Sequence, residues 1–173
     1  MRNGAGVSTG AAASGSGRGK GIAAATEAMP FIERLRRLGA DFLDQMEAKG
    51  AHGIRDHISQ TPQDLIRRCK LSARSGKRRD LIEAATSFTN KHTANMAVKE
   101  NLIHNVDKIT QWLAKPEEKY GVFLCQHDHV IGYGTTRLAQ AMKYDLSVSR
   151  VVLEADTTSS LGFKLITTFP VAE

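Results

Sequence analysis

The sequence predicts an α+β domain, with N-terminal helices followed by an antiparallel sheet. Three observations carry this prediction. Apolar residues recur at helical spacing in the first two thirds of the chain. Short β-branched and aromatic runs follow Tyr120, and turn residues separate those runs. The two cysteines, Cys69 and Cys125, make no disulfide framework, so burial must hold the core together, as in a reducing cytosol.

The elements follow in order. Residues 1–26 are rich in Gly, Ala and Ser and read as a flexible linker. Residues 27–49 read as one amphipathic helix with Ile32, Leu35, Leu38, Phe42, Leu43 and Met46 on its apolar face, and Gly50 as its stop. This segment is expected to be a docking helix or the end of a delivery module, with the main domain spanning 50–173. The next helix opens at Thr61-Pro62-Gln63-Asp64. Thr61 suits the cap, Pro62 the first helical position, and Asp64 the positive helix end. It is expected to run through Arg68 to about Leu71 and to give way to a basic loop near Ser75-Gly76. A long helix is predicted from about Thr89 to Leu113, with Ala94, Val98, Leu102, Val106, Ile109 and Leu113 as its stripe. Strands are expected at Val122–Leu124, Val130–Tyr133, Val148–Leu153 and Phe163–Phe169. Gly132-Tyr133-Gly134 reads as a bend or bulge.

The length of 173 residues suits one compact domain and a tail, and a hydrophobic share of 41% supports a core. The net charge of +6 favours an anionic partner, nucleic acid or an anionic membrane surface. No apolar run reaches the ~20 residues of a membrane span, and Met1–Lys20 lacks the apolar stretch of a secretory signal. The basicity is concentrated. Residues 66–80 hold Arg67, Arg68, Lys70, Arg74, Lys77, Arg78 and Arg79 against Asp80 alone, whereas 116–173 hold five Lys/Arg against seven Asp/Glu.

The stretch from Gly50-Ala51-His52-Gly53 through Asp56-His57-Ile58 to Thr61 resembles the opening of the bacterial ribonuclease A-like toxin domain. That domain ends many contact-dependent growth-inhibition (CdiA) and other polymorphic toxins. The family pattern is a Gly-Gly-His stretch, a His followed by Val or Ile, a short polar turn, and a helix bearing an arginine. Arg68 falls eleven residues after His57, where that arginine is expected. Ala85-Thr86-Ser87-Phe88-Thr89, Ile109-Thr110-Gln111-Trp112-Leu113-Ala114, Val130-Ile131-Gly132, Arg150-Val151-Val152-Leu153 and Ile166-Thr167-Thr168-Phe169-Pro170 follow in the family's order. The ordered set, across roughly residues 50–171, is more specific than any single motif. The resemblance implies a fold like pancreatic ribonuclease without its disulfides. It also implies an RNA substrate, transfer RNA being one that such toxins attack. Further implications are no metal or cofactor, export within a larger effector, action in the cytoplasm of a target bacterium, a cognate immunity protein, and a monomeric toxin domain.

Metal-free RNA cleavage by the neighbouring 2′-hydroxyl needs a base for the 2′ proton, a cation for the phosphoryl oxygens, and an acid for the departing 5′ oxygen. Histidine suits the proton work because its ordinary pKa is about 6.5, and arginine suits the phosphate because its planar fork stays charged. His57 is therefore the candidate base and Arg68 the candidate phosphate clamp. His52 reads as a packing or local hydrogen-bonding residue. Arg67 and Lys70, beside Arg68, are candidate substrate contacts. Thr167 matches a site threonine of the family, and Phe169 shares its face of the last strand. Some family members carry tyrosine at the Phe169 position, whose phenol can donate a proton. Phenylalanine can stack on a base but cannot donate, so the leaving-group acid is open among His57 itself, Tyr133 and a lysine.

Cys125-Gln126-His127-Asp128-His129 has zinc-like residue types without an evident fourth ligand, and reads as a hairpin turn between strands. Two other function classes stay open from the sequence. One is a non-catalytic nucleic-acid-binding protein built on the basic segment, which lacks interleaved aromatics for base stacking. The other is a different toxin enzyme such as an ADP-ribosyltransferase, for which no Gly-rich phosphate fingerprint is found.

Overall fold

The computed structural model describes residues 29–74, 82–139 and 141–172. The single helix expected over 27–49 is two, α1 (Phe31–Arg36) and α2 (Phe42–Ala48). The break includes Gly39, which costs a helix interior about 1 kcal/mol relative to alanine. Breaking there lets Leu35 of α1 and Phe42, Leu43 and Met46 of α2 enter one core with Phe88, Val98, Leu102, Val151 and Leu153. A short helix not expected from the sequence follows, α3 (Gly53–His57). Its start is capped by α2, since the Glu47 carboxylate accepts from the Ile54 and Arg55 N–H groups at 3.0 and 3.1 Å.

Helix α4 (Pro62–Arg74) starts where expected and continues past Leu71. Thr61 Oγ1 accepts from the Asp64 N–H at 3.1 Å and donates to the Asp64 carboxylate at 2.7 Å. The basic loop expected near Ser75-Gly76 lies outside the described residues. The long helix is also divided, into α5 (Lys91–His104) and α6 (Val106–Leu113). Asn90, rather than a residue further upstream, caps it by accepting from the Thr93 N–H at 2.8 Å. The division at Asn105 has a tertiary cause. Its buried side-chain amide donates to the Leu124 carbonyl at 2.9 Å and to Asn101 Oδ1 at 3.1 Å, so it is held by a strand as well as by its own helix.

Among the described residues there are six strands: β1 (Ala84–Phe88), β2 (Tyr120–Gln126), β3 (Gly132–Thr136), β4 (Met142–Leu146), β5 (Val148–Ala155) and β6 (Phe163–Pro170). They form two antiparallel three-stranded sheets, β1-β3-β4 and β2-β5-β6. Helix α5 packs its Ala94, Val98 and Leu102 side against the second sheet, where Phe123, Val151, Leu153, Phe163 and Leu165 are buried. The order departs from the expectation in three places. β1 interrupts the helical part, and β4 is an additional strand. The turn at Cys125–His129 joins two different sheets instead of closing a hairpin, because β2 pairs with β5 while β3 pairs with β1 and β4.

The Gly132-Tyr133-Gly134 segment does carry an irregularity, a register shift against β4 between the two glycines. Its glycines are needed for close approach. A Cβ on Gly132 would sit 2.3 Å from the Ser87 carbonyl oxygen and 2.6 Å from Pro170 Cγ, and one on Gly134 2.6 Å from Thr86 Cγ2. β3 is thus pressed onto β1 and the end of β6. Gly132→Ala is expected to destabilise the domain by about 1–3 kcal/mol, the usual range for overpacking, read as a lowered urea midpoint with an unchanged slope.

Candidate active site

The site forms where α3, β1 and the end of β6 converge. β6 carries a bulge. Val152 pairs with Thr167 and Leu153 with Leu165, so Ile166 is the extra residue. Its carbonyl accepts from the His52 N–H at 2.9 Å. This bond, together with the close contact of Gly53 against Thr168, lays α3 along β6. The His52 ring itself is exposed and lies 3.2 Å from the Arg55 guanidinium, a local contact away from the cavity. After α3 the chain turns sharply. Ile58 makes an isolated parallel bridge to Phe88, and Ser59 takes a left-handed φ of 57°. The Gln60 N–H donates to Ser87 Oγ at 3.2 Å. The turn sends α4 back so that Arg68 reaches α3.

His57 stands at the end of α3, half-buried. Its Nδ1 lies 3.3 Å from the Thr86 carbonyl oxygen of β1. A carbonyl only accepts, so this contact selects the tautomer with hydrogen on Nδ1 and leaves the Nε2 lone pair free. Burial pushes the His57 pKa below its ordinary value. The Arg68 cation acts in the same direction, opposed by the Thr86 hydrogen bond and the Asp56 charge. His57 is therefore poised as a neutral base at neutral pH.

Arg68 donates to the Asp56 backbone carbonyl at 2.9 Å. This bond fixes the guanidinium without neutralising it. The Asp56 carboxylate is instead taken up by Arg55, whose Nε is 2.9 Å away, and that hydrogen bond is the largest cause of its lowered pKa. Arg67 points elsewhere and is paired with Asp64 at 2.7 Å. Arg67 and Lys70 line a shallow hollow with Gln63, Ile66 and Leu71, separate from that of His57.

The Phe169 ring lies 5.0 Å from the His57 ring, tilted by 32°. Thr167 is on the same face of β6, half-buried, opposite Val152. A cavity of about 300 Å3 is lined by His57, Glu83, Thr86, Arg150, Phe169 and Pro170. Arg150 is a member that sequence reasoning missed. It pairs directly with Phe169 across β5 and β6 and holds its guanidinium carbon 5.9 Å from that ring. Its outward position could be read from the strand's alternation, but its partner strand could not. Tyr133 is committed elsewhere. Its hydroxyl donates to the Gln60 carbonyl at 2.7 Å, and its ring packs beside Leu65, Cys69 and Ala85.

The sequence model of the bacterial CdiA-CT RNase A domain matches residues 51–170. The chain belongs to this family. As a CdiA-CT RNase A domain it is a nuclease toxin domain, and its α+β architecture without disulfides agrees, Cys69 and Cys125 both being buried thiols. The crystal structure of a CdiA-CT/CdiI complex from Y. kristensenii 33638 is similar, with a TM-score of 0.60 at 24% identity, covering 69% of this chain and 97% of that chain. At that identity the likeness speaks for the fold. No curated protein matches. The CdiA-CT match begins at residue 51, yet α1 and α2 before it contribute to the same core.

The sign of the His57 shift gives two expectations. Its ring should titrate below the ordinary value of about 6.5, and Arg68→Gln should move it upward, both read by NMR of the ring protons. Because the folded-state pKa is depressed, the associated stability is intact above about pH 6.5 and is lost as the pH falls through the depressed value. A His57 titrating above 6.5 would contradict the geometry described.

Proposed function

We propose that this domain is a metal-independent endoribonuclease toxin, cleaving RNA by attack of the neighbouring 2′-hydroxyl. The observation that carries the proposal is the combination of a neutral, tautomer-fixed His57 with two guanidinium groups that no carboxylate pairs among the described residues, Arg150 lining the His57 cavity and Arg68 held on the Asp56 carbonyl next to His57. His57 Nε2 takes the 2′ proton as the 2′ oxygen bonds to phosphorus. The bond from phosphorus to the 5′ oxygen breaks, giving a 2′,3′-cyclic phosphate. Arg68 holds the phosphoryl oxygens as their charge grows, the kind of stabilisation worth most in the transition state. Arg150 anchors the same or an adjacent phosphate, Thr167 offers a hydroxyl to it, and Phe169 gives a base an apolar face. Lys70, two residues beyond Arg68 on α4, and Arg67, whose guanidinium pairs with Asp64, would be outer contacts for the RNA backbone in a hollow beside the site. Phe169 has no proton to give and Tyr133 is engaged by Gln60, so the proton for the 5′ oxygen comes from the His57 imidazolium or from water.

The similar CdiA-CT is solved with a CdiI, and a cognate immunity protein is the corresponding partner here. Tyr120, Val122 and Leu124 leave an exposed apolar strip on the outer face of β2, next to Arg150 and Phe169. A partner seated on that strip would cover the cavity. In this reading the domain acts as a monomer in the cytoplasm of a target bacterium, carried there by a larger effector. Transfer RNA is the proposed substrate class. Among the described residues, no helix is long and apolar enough to cross a membrane.

The test is RNA cleavage by the purified chain with excess chelator at 25 °C. The parent is expected to cut, with His57→Ala and Arg68→Ala each slower by about a hundredfold or more. Intact RNA with folded parent protein would end the enzyme reading, and full activity in His57→Ala would end the site assignment.

Arg150→Ala should raise KM about tenfold with a smaller effect on kcat, the loss of one charge-assisted contact. Phe169→Tyr should speed cleavage if a phenol can supply the missing proton. An unchanged rate would leave solvent or His57 as the source.

A further inference from the structure

The turn that joins the two sheets places two histidines beside a helix carboxylate, outside the cavity of His57. His127 is buried, His129 is exposed, and Glu100 comes from α5. One ligand atom from each of the three lies within 4.8 Å of the others, and His127 Nδ1 is 2.6 Å from Glu100 Oε2. We propose that Glu100, His127 and His129 form a zinc site, with water in the fourth position. Two imidazoles and one carboxylate are a donor set that zinc takes, at about 2.0–2.2 Å from each atom. Glu100 and His129 keep 40% and 44% of their side chains exposed, so both can make the small rotations that closing a tetrahedron needs.

The surroundings of His127 are those of a ligand. Its Nε2 is 2.8 Å from Ser149 Oγ, which also accepts from Asn101 Nδ2 at 2.9 Å. Asn101 neighbours Glu100 on α5 and donates to the Phe123 carbonyl as well. A metal-bound imidazole holds its second nitrogen in this way, by an outer hydrogen bond that fixes the ring. On binding, the ring's single proton moves from Nδ1 to Nε2 by exchange with solvent, so that Nδ1 takes the ion and Nε2–H donates to Ser149. Without the ion, Nδ1–H donates to Glu100 and the Ser149 hydroxyl to Nε2. The domain is therefore satisfied in both states, and the ion adds stability without being required for folding. Cys125 lines the same hollow but stands outside the triad. Its thiol is turned to the Gln126 carbonyl oxygen, 3.6 Å from Sγ.

The test uses the full chain freed of metal by chelator. Zinc at a hundredfold excess over its Kd should raise Tm by about 5 °C or more. Cobalt should give the intense visible absorption of a four-coordinate site. His129→Ala and Glu100→Gln should keep the metal-free Tm near that of the parent and lose both responses, whereas Cys125→Ser should retain them. Absence of a zinc response in the parent, an undiminished response in His129→Ala, or its loss in Cys125→Ser would each overturn the assignment. These readouts are thermal and spectroscopic, so they stand apart from the ribonuclease proposal.

Discussion

The contact between His57 Nδ1 and the Thr86 carbonyl depends on lodging β1 between α3 and β3, and much of the surrounding structure serves that placement. β1 is Ala-Ala-Thr-Ser-Phe, and four of its five residues are buried. Buried polar groups need partners, and Ser87 finds them in the turn that follows α3, through Gln60 and the backbone. The approach is possible because glycine stands at 132 and 134, facing the backbone of β1 and the Thr86 side chain. On the other side, the Ile166 bulge frees a carbonyl for His52, which brings α3 to the same edge. The imidazole is thus oriented by four backbone segments, each fixed by burial.

Electrostatics at the site follow from which oxygen each cation meets. Arg67 meets a carboxylate, that of Asp64, and its charge is balanced locally. Arg68, one residue on and turned by about 100° around the helix, meets a neutral carbonyl. The nearby Asp56 carboxylate is drawn off by Arg55. Arg68 therefore keeps its attraction for an anion, and the same uncompensated charge helps hold His57 neutral. Arg150 lies against an aromatic ring, which attracts but does not neutralise it. A phosphate entering the cavity would meet Arg150 there, and among the described residues no carboxylate pairs with Arg150 or with the nearby Arg68.

These features were unequally legible in the sequence. The start of α4 was readable because Thr61-Pro62 and Asp64 act within one turn of chain. β2 and β5 were readable as short β-branched and aromatic runs between turn residues. Arg68 was picked over Arg67 by its distance from His57 within a family pattern, and in the structure its guanidinium meets the Asp56 carbonyl while that of Arg67 meets Asp64. β1 was not readable as a strand because it is buried on both faces and lacks β-branched residues apart from Thr86, so it shows neither alternation nor propensity. β4, Met-Lys-Tyr-Asp-Leu, has three exposed positions at the edge of its sheet. The breaks at Gly39 and Asn105 are tertiary, set by what the halves of each helix must reach. Arg150 and Glu100 escaped because their importance lies in cross-strand and helix-to-turn neighbours far away in sequence.

β5 links the two ends of the molecule that carry chemistry. Consecutive residues of a strand face opposite ways, so Ser149 points inward to His127 and Asn101 while Arg150 points outward over Phe169. Ser149 also pairs with Pro170, and Arg150 with Phe169, in the stretch of β6 that flanks His57. The inner part of this network, His127, Ser149 and Asn101, is built from mutually dependent hydrogen bonds among buried groups, which makes it stiff. Whatever fixes Ser149 fixes the backbone that presents Arg150. The Glu100–His127–Ser149 network thus backs the strand that presents Arg150, although none of the three residues lines the His57 cavity.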